Sequence, residues 1–284
     1  MALPDPASLT LERDEAPGLR AWLKSPADWL VMILGTLYWG VFGSLLTVLG
    51  LMLRPFSGQI ACQRLGRFLL HVLFRVFARF LRIMRVLELD AGALSKLSRT
   101  GGPMILAPNH AALWDAVFII SRVPGVVCVM KKSILRNPFL GGGARLAGFI
   151  ANDGMTRTIR AATKSLHSGS RLLFFPEGTR TTPDARWINP LKGGCALIAM
   201  RSGVPVHPIF IRSSSRFLQK GWPLWRRPVF PIHIRIDVGE PLVPEPGESA
   251  HSFTLRLQAT FEQELSRPHE LRRQITHGGG SSTT

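Results

Sequence analysis

The sequence predicts an α/β domain, a mixed central sheet flanked by helices, preceded by N-terminal membrane-embedded helices. Three observations carry this. From about residue 88 onward, short apolar runs of strand length alternate with stretches of helical period, separated by Gly and Pro, the order that packs helices on a sheet. Ahead of that, Trp29 to Leu53 holds no charged side chain and is long enough to cross a bilayer. Between the two, Arg64, Arg67, His71, Arg75, Arg79, Arg82 and Arg85 recur at spacings of three and four, which puts them on one face of a helix.

Taken in order, residues 1–27 are polar, Pro-containing and of mixed charge, and read as a flexible N-terminal segment. Residues 28–87 read as membrane-anchoring hydrophobic and basic amphipathic helices. The apolar run is too long for a signal peptide and its leading segment is too acidic. Gly35, Gly40, Gly43 and Gly50 would permit a bend inside it, so it either spans or turns back. Basic residues crowd its C-terminal side, which expects the remainder on the cytoplasmic face of the inner membrane in a bacterial cell. In the basic helix, the apolar remainder, including Leu69, Leu70, Phe74, Phe77 and Phe80, suits a position at headgroup depth with the cations toward phosphates.

Residues 88–270 read as the α/β domain. Strands fit Met104 to Ala107, Val126 to Met130, Leu172 to Phe175, Val206 to Ile211 and Ile232 to Val238. Helices fit Ala116 to Arg122, Thr158 to Leu166, Cys195 to Ser202 and about 251–266, the last from Phe253, Leu257, Phe261 and Leu265 at spacing four. Residues 271–284 end in a Gly/Ser/Thr tract and read as a disordered tail.

A formal net charge of +17 calls for an anionic partner. Arginines interleaved with Phe and Leu favour an anionic lipid surface over nucleic acid. Cys62, Cys128 and Cys195 are odd in number, widely spaced and set in apolar or Gly-rich sequence, which speaks against a disulfide framework or a cysteine-based zinc site. No metal is implied.

Two stretches carry chemistry. Asn109-His110-Ala111-Ala112-Leu113-Trp114-Asp115 follows a buried strand and places an imidazole five residues before a carboxylate, on the turn into a helix. A neutral imidazole accepts a proton near pH 7, and a carboxylate on its far nitrogen fixes the tautomer and stabilises the imidazolium. Phe174-Phe175-Pro176-Glu177-Gly178-Thr179-Arg180 follows a second strand and sets a carboxylate, a glycine, a hydroxyl and a guanidinium side by side, a compact anion site in which the Arg fork suits a phosphate.

Together, about 60 residues apart, these stretches resemble the membrane-bound glycerolipid acyltransferases, the lysophosphatidic acid acyltransferase family. That family's first motif is His, four residues, then Asp; its third is Phe-Pro-Glu-Gly-Thr-Arg, matched letter for letter by Phe175 to Arg180. Lys131 to Leu135 with Asn137 to Gly141, Pro190 to Gly194 and Val204 to Ile209 resemble further segments of the family. The resemblance covers roughly 100–215. It implies a glycerolipid acyltransferase-like fold and transfer of a fatty acyl group from acyl-CoA or acyl carrier protein to a lysolipid hydroxyl, with the thioester as co-substrate and no other cofactor. It also implies His110 as base, Asp115 as its orienting partner, and Glu177, Gly178, Thr179 and Arg180 at the acceptor headgroup. Lys132 and Lys192 are expected at substrate as well, Lys132 beside the oxyanion or the donor phosphates. The first expected acceptor is 1-acyl-glycerol-3-phosphate, giving phosphatidic acid.

One departure opens a second acceptor class. The family commonly has an arginine in its second motif, near Ile-Asp-Arg, whereas this chain reads Ile150-Ala151-Asn152-Asp153-Gly154. Arg157 or Arg160 is then left to substitute, and a lyso-aminolipid or the product of a specialised pathway becomes the alternative acceptor. A lipid-ester hydrolase is disfavoured because no Gly-x-Ser-x-Gly elbow occurs. A nonenzymatic binder of anionic lipid or nucleic acid accounts for the charge but not for the paired motifs. His207 and His233 read as structural.

Overall fold

The computed structural model describes residues 26–53, 58–137, 139, 141–222 and 228–267. The flexible segment expected at 1–27, apart from the helical backbone at 26 and 27, and the tail expected at 271–284 lie outside the described residues.

Seven strands form one sheet: β1 (Leu87–Asp90), β2 (Met104–Pro108), β3 (Val126–Lys131), β4 (Ile150–Asn152), β5 (Arg171–Leu173), β6 (Val206–Ser213) and β7 (Ile232–Val238). Their order is β1-β7-β6-β2-β5-β3-β4. The β6–β7 pair is antiparallel and the other pairs are parallel. The mixed sheet flanked by helices expected from the sequence is therefore the observed architecture.

The described helices are α1 (Pro26–Leu53), α2 (Gln59–Ile83), α3 (Gly92–Leu97), α4 (Asp115–Arg122), α5 (Lys132–Arg136), α6 (Gly141–Leu146), α7 (Met155–His167), α8 (Gly194–Ser202) and α9 (Ala250–Ser266). Because side chains alternate across a strand, the fully buried β2 feeds two cores. Met104 and Leu106 pack with Phe74, Phe77, Leu81 and Phe118 from α2 and α4. Ile105 and Ala107 pack with Ile159, Leu166, Ile198, Phe253 and Phe261 from α7, α8 and α9. A strand buried on both faces has no polar positions to spare, which is why this run reads so plainly in the sequence.

Strands β1 and β4 and helices α3, α5 and α6 were not expected. Each has six residues or fewer, too few to show a period. Strand β5 ends at Leu173, before the predicted Phe175, and the two phenylalanines enter the site turn.

Helix α1 is continuous, and Trp29–Leu53 is long and apolar enough to cross a membrane by length and composition. None of its glycines interrupts it. A Cβ on Gly43 would sit 1.7 Å from the Phe139 carbonyl oxygen, so this glycine serves close docking of α1 on the domain. Helix α2 has three faces. Leu70, Phe74, Phe77 and Leu81 are buried, with Phe77 edge-on to Trp114 at 5.3 Å; Phe68, Val72, Val76 and Ile83 are exposed; and the arginines run between. The sequence foresaw the basic stripe. It did not show that a second apolar stripe is reserved for the domain core, because both stripes look alike in one dimension.

Candidate active site

Parallel neighbours present their C-terminal ends at one edge, and four strands bring residues of the motifs there: the expected His110 after β2, Glu177 to Arg180 after β5 and Lys132 after β3, joined by Asp153 and Gly154 after β4. At about 4.8 Å per strand the row from β2 to β4 is about 14 Å long.

His110 Nδ1 lies 3.0 Å from Asp115 Oδ2. The imidazole side chain is 19% exposed and the carboxylate 1%, so the Nδ1–H donates inward. The same Oδ2 accepts the Ala112 N–H at 2.7 Å, which closes the turn into α4 and fixes the carboxylate before the imidazole reaches it. Phe175 stacks on the ring at 4.0 Å between centroids and 28° between planes. Asn109 is buried and exchanges two hydrogen bonds with the backbone of Ile211 on β6, at 3.0 and 2.7 Å. It locks the backbone directly before the histidine.

Burial pushes the Asp115 carboxyl above its usual range, opposed by the His110 contact, the Ala112 N–H and the Arg180 charge. The folded chain then holds this proton more tightly than the unfolded chain, so stability from this group falls as pH rises from the ordinary carboxyl value, about 3.9, through the raised one. Asp115→Asn is expected to flatten that dependence: its thermal midpoint in neutral detergent declines less than the wild type's between about pH 4 and about pH 7. A decline equal to the wild type's would contradict the assignment.

Glu177 faces inward. Its Oε1 accepts the His110 N–H at 2.7 Å, its Oε2 accepts the Asn189 N–H at 2.8 Å, and the Thr181 hydroxyl lies 2.9 and 3.0 Å from the two oxygens. The residue is 1% exposed, and burial raises its carboxyl pKa against these donors. Glu177, expected at the acceptor headgroup, is turned inward, where its own chain sets three donors against its carboxylate and it ties the histidine turn to the Phe175 to Arg180 motif. The Thr181 N–H donates to the His110 carbonyl at 2.7 Å, a second tie across the same seam.

Gly178 has φ of +69°, and a Cβ there would sit 3.1 Å from Lys192 Nζ. The positive φ is what requires glycine here, and the Lys192 side chain lies over it. Arg180 Nη1 donates to the carbonyls of Leu218 at 2.7 Å and Gln219 at 3.2 Å, and the Leu218 carbonyl also accepts the Leu113 N–H. Arg180 therefore joins the Phe175 to Arg180 motif to the loop that supports the histidine turn, with no carboxylate paired to it among the described residues. Thr179 lies partly exposed on the same turn.

Lys132 Nζ contacts Asp153 Oδ2 at 3.0 Å, and Arg157 Nη1 reaches the same oxygen at 3.6 Å. The lysine contact, more than the Arg157 charge, holds the Asp153 carboxyl below its usual range. Gly154 has φ of +143°, and the Arg157 guanidinium lies 3.7 Å from where its Cβ would be. Of the two arginines proposed to fill this place, Arg157 is at it; Arg160 is exposed further along α7. His233 pairs with Glu88 at 2.9 Å between β7 and β1, far from this row.

Sequence reasoning missed Asn109, Phe175, Thr181, Asn189 and Asp153 as members of the site. Asn109 and Phe175 meet partners far along the chain, Ile211 and His110, which no local pattern signals; Thr181 and Asp153 also pair four residues away, with Glu177 and Arg157, contacts that no motif marked.

Residues 93–212 match the family described as Acyltransferase, and that span holds His110, Asp115, Lys132, Glu177, Arg180 and Lys192. The chain carries an acyltransferase-family domain. It is 28% identical over 197 residues to the 1-acyl-sn-glycerol-3-phosphate acyltransferase of Saccharomyces cerevisiae, covering 65% of this chain and 64% of that protein. It is 28% identical over 113 residues to the lyso-ornithine lipid O-acyltransferase of Pseudomonas aeruginosa, covering 38% and 43%. The crystal structure of the 1-acyl-sn-glycerophosphate acyltransferase PlsC of Thermotoga maritima superposes with a TM-score of 0.63 at 18% identity, over 87% of this chain and 96% of that one, a likeness of fold. The chain thus spans less than two thirds of the length of these two sequence relatives. The acyltransferase domain begins within α3 and ends on β6, so the sheet edge described above belongs to it, whereas α1 and α2 precede it.

Proposed function

We propose that the protein is a membrane-bound O-acyltransferase that moves a fatty acyl group from an acyl-CoA or acyl carrier protein thioester to a lysolipid hydroxyl. The observation that carries the reading is the His110–Asp115 contact of 3.0 Å on a sheet edge shared with Arg180, Lys192 and Lys132. With Nδ1–H held by Asp115, the other ring nitrogen, Nε2, is the acceptor. It takes the acceptor-lipid proton as the oxygen bonds to the thioester carbonyl carbon. The tetrahedral intermediate collapses with cleavage of the C–S bond, and the imidazolium returns its proton to the departing sulfur. Direct attack needs no acyl-enzyme, and the absence of a Gly-x-Ser-x-Gly sequence agrees with that. The apolar exposure of α1 and α2 accounts for how a lipid hydroxyl reaches the site from a membrane, with the domain on the cytoplasmic face in a bacterial cell.

For the acceptor, 1-acyl-glycerol-3-phosphate is the first reading, since Arg157 places a guanidinium at the position that Gly154 leaves open. A specific observation favours a second. Arg157 and Lys132 share one carboxylate, Asp153, which lowers the net positive charge offered to a phosphate dianion, and a zwitterionic lyso-aminolipid suits such a mixed site. Purified protein assayed with one acyl-CoA and one acyl carrier protein against lysophosphatidate and a lyso-aminolipid separates the two. Arg157→Ala is expected to raise KM for the phosphate acceptor about fivefold to tenfold with little change in kcat. A preference for the lyso-aminolipid, unaltered in Arg157→Ala, would overturn the first reading.

A further inference from the structure

A second cluster of arginines lies away from this edge. Helix α4 starts at Asp115 and its eight residues carry the chain about 12 Å back along the sheet, ending at Arg122. Helix α2 packs across α4, with His71 Nδ1 2.7 Å from the Ile120 carbonyl oxygen. Arg75 follows His71 by one turn, and Arg75, Arg79 and Arg82 continue that stripe. The charges of Arg75 and Arg82 both reach Arg122, whose pKa is lowered first by burial and then by these two neighbours. Arg122 Nε is buried and has no hydrogen-bond partner. No carboxylate pairs with Arg75, Arg82 or Arg122 among the described residues, although other arginines of this chain, Arg212, Arg256 and Arg267, have acidic partners.

We propose that Arg75, Arg82 and Arg122 form a binding site for the phosphate of an anionic membrane phospholipid, distinct from the catalytic edge. With α2 packed on α4, these arginine charges repel one another without a paired carboxylate among the described residues and leave Arg122 Nε without a partner, and a phosphate satisfies them with the fork geometry arginine offers. A lipid is the occupant because of what lies beside the cluster. Roughly a quarter turn around α2, Phe68, Val72, Val76 and Ile83 are exposed, so a headgroup on the arginines has its acyl chains along an apolar strip. Exposed Leu37, Val41, Leu45 and Val48 of α1 extend the apolar surface. The site would anchor the domain at a defined depth and rotation on an anionic leaflet, and it does not depend on which acceptor is acylated.

The test uses the full chain in neutral-detergent mixed micelles containing pyrene-labelled phosphatidylglycerol or phosphatidylcholine, read by energy transfer from tryptophan. Wild type is expected to prefer phosphatidylglycerol. Arg122→Gln should weaken that binding about fivefold, the loss of one interfacial charge, and leave phosphatidylcholine binding unchanged. Arg201→Gln removes one charge from an exposed position of α8, on the opposite face of the sheet, and should keep the preference. Equal loss in both variants would reduce the effect to net charge and overturn the site, as would an unaltered preference in Arg122→Gln. Displacement of the labelled lipid by the same concentration of inorganic phosphate would overturn the lipid assignment. If circular dichroism shows Arg122→Gln to be unfolded, Arg75→Gln and Arg82→Gln, both at exposed positions, carry the test with the same expected outcomes.

Discussion

His110→Ala is expected to lower the acyl-transfer rate by about 10² to 10⁴, the usual contribution of a positioned general base, which corresponds to about 3 to 5 kcal/mol of barrier. The loss should fall on kcat, with KM for either substrate nearly unchanged, because the imidazole acts on a proton in flight. Stability should fall as well, by about 1 to 3 kcal/mol, since the buried Asp115 carboxylate loses the partner that offsets its burial. Rates must therefore be compared well below the melting temperature, with thermal midpoints measured in the same detergent. A folded His110→Ala protein that transfers acyl groups at a near-normal rate would remove His110 from the mechanism. The Phe175 stack adds no chemistry to this expectation, but it explains why the ring has little freedom to take another orientation.

Glu177→Ala is expected to be the most destabilising single change at the site. It strips one acceptor each from the His110 N–H, the Asn189 N–H and the Thr181 hydroxyl, at a residue 1% exposed. At about 1 to 3 kcal/mol for each stranded donor, and allowing for partial relaxation, the loss is about 3 to 5 kcal/mol. Activity should fall with it, because the His110 backbone is freed from the turn that aims the ring. Glu177→Gln keeps the shape but sets an N–H against a donor, so it should lie between wild type and Glu177→Ala in denaturant midpoint. The contrary result is a raised KM for the lipid acceptor with unchanged stability, which would return Glu177 to the headgroup and remove its role as a clamp.

Both expectations rest on residues that the sequence marks and on contacts that it does not. The sequence by itself determined the α/β order, because strands buried on two faces, such as Met104 to Pro108, read as continuous apolar runs. It determined the two motifs, because their residues are local: five positions separate His110 from Asp115, and four consecutive residues hold Glu177 to Arg180. It also determined the apolar α1 and the basic stripe of α2, since helical period is a one-dimensional signal. Short elements escaped for the opposite reason. Strand β4 has three residues and takes its conformation from pairing with β3, a contact that exists only after the chain has folded.

The tertiary structure decided which of the marked residues do what. Glu177 and Arg180 look equivalent in the sequence, two charges of a compact anion site. The fold buries the first beneath the histidine turn and leaves the second partly exposed beside it, a distinction made by β2 and β5 lying side by side. Gly154 reads as a missing arginine, yet the first turn of α7 brings Arg157 back over it. The same holds for α2, whose arginine stripe is periodic in sequence but becomes a three-membered cluster only when α4 supplies Arg122. Charge and hydropathy belong to residues and can be read along a chain. Burial, pairing and the absence of a counter-ion belong to neighbours, and the packing of α2 and α4 on the sheet chooses those.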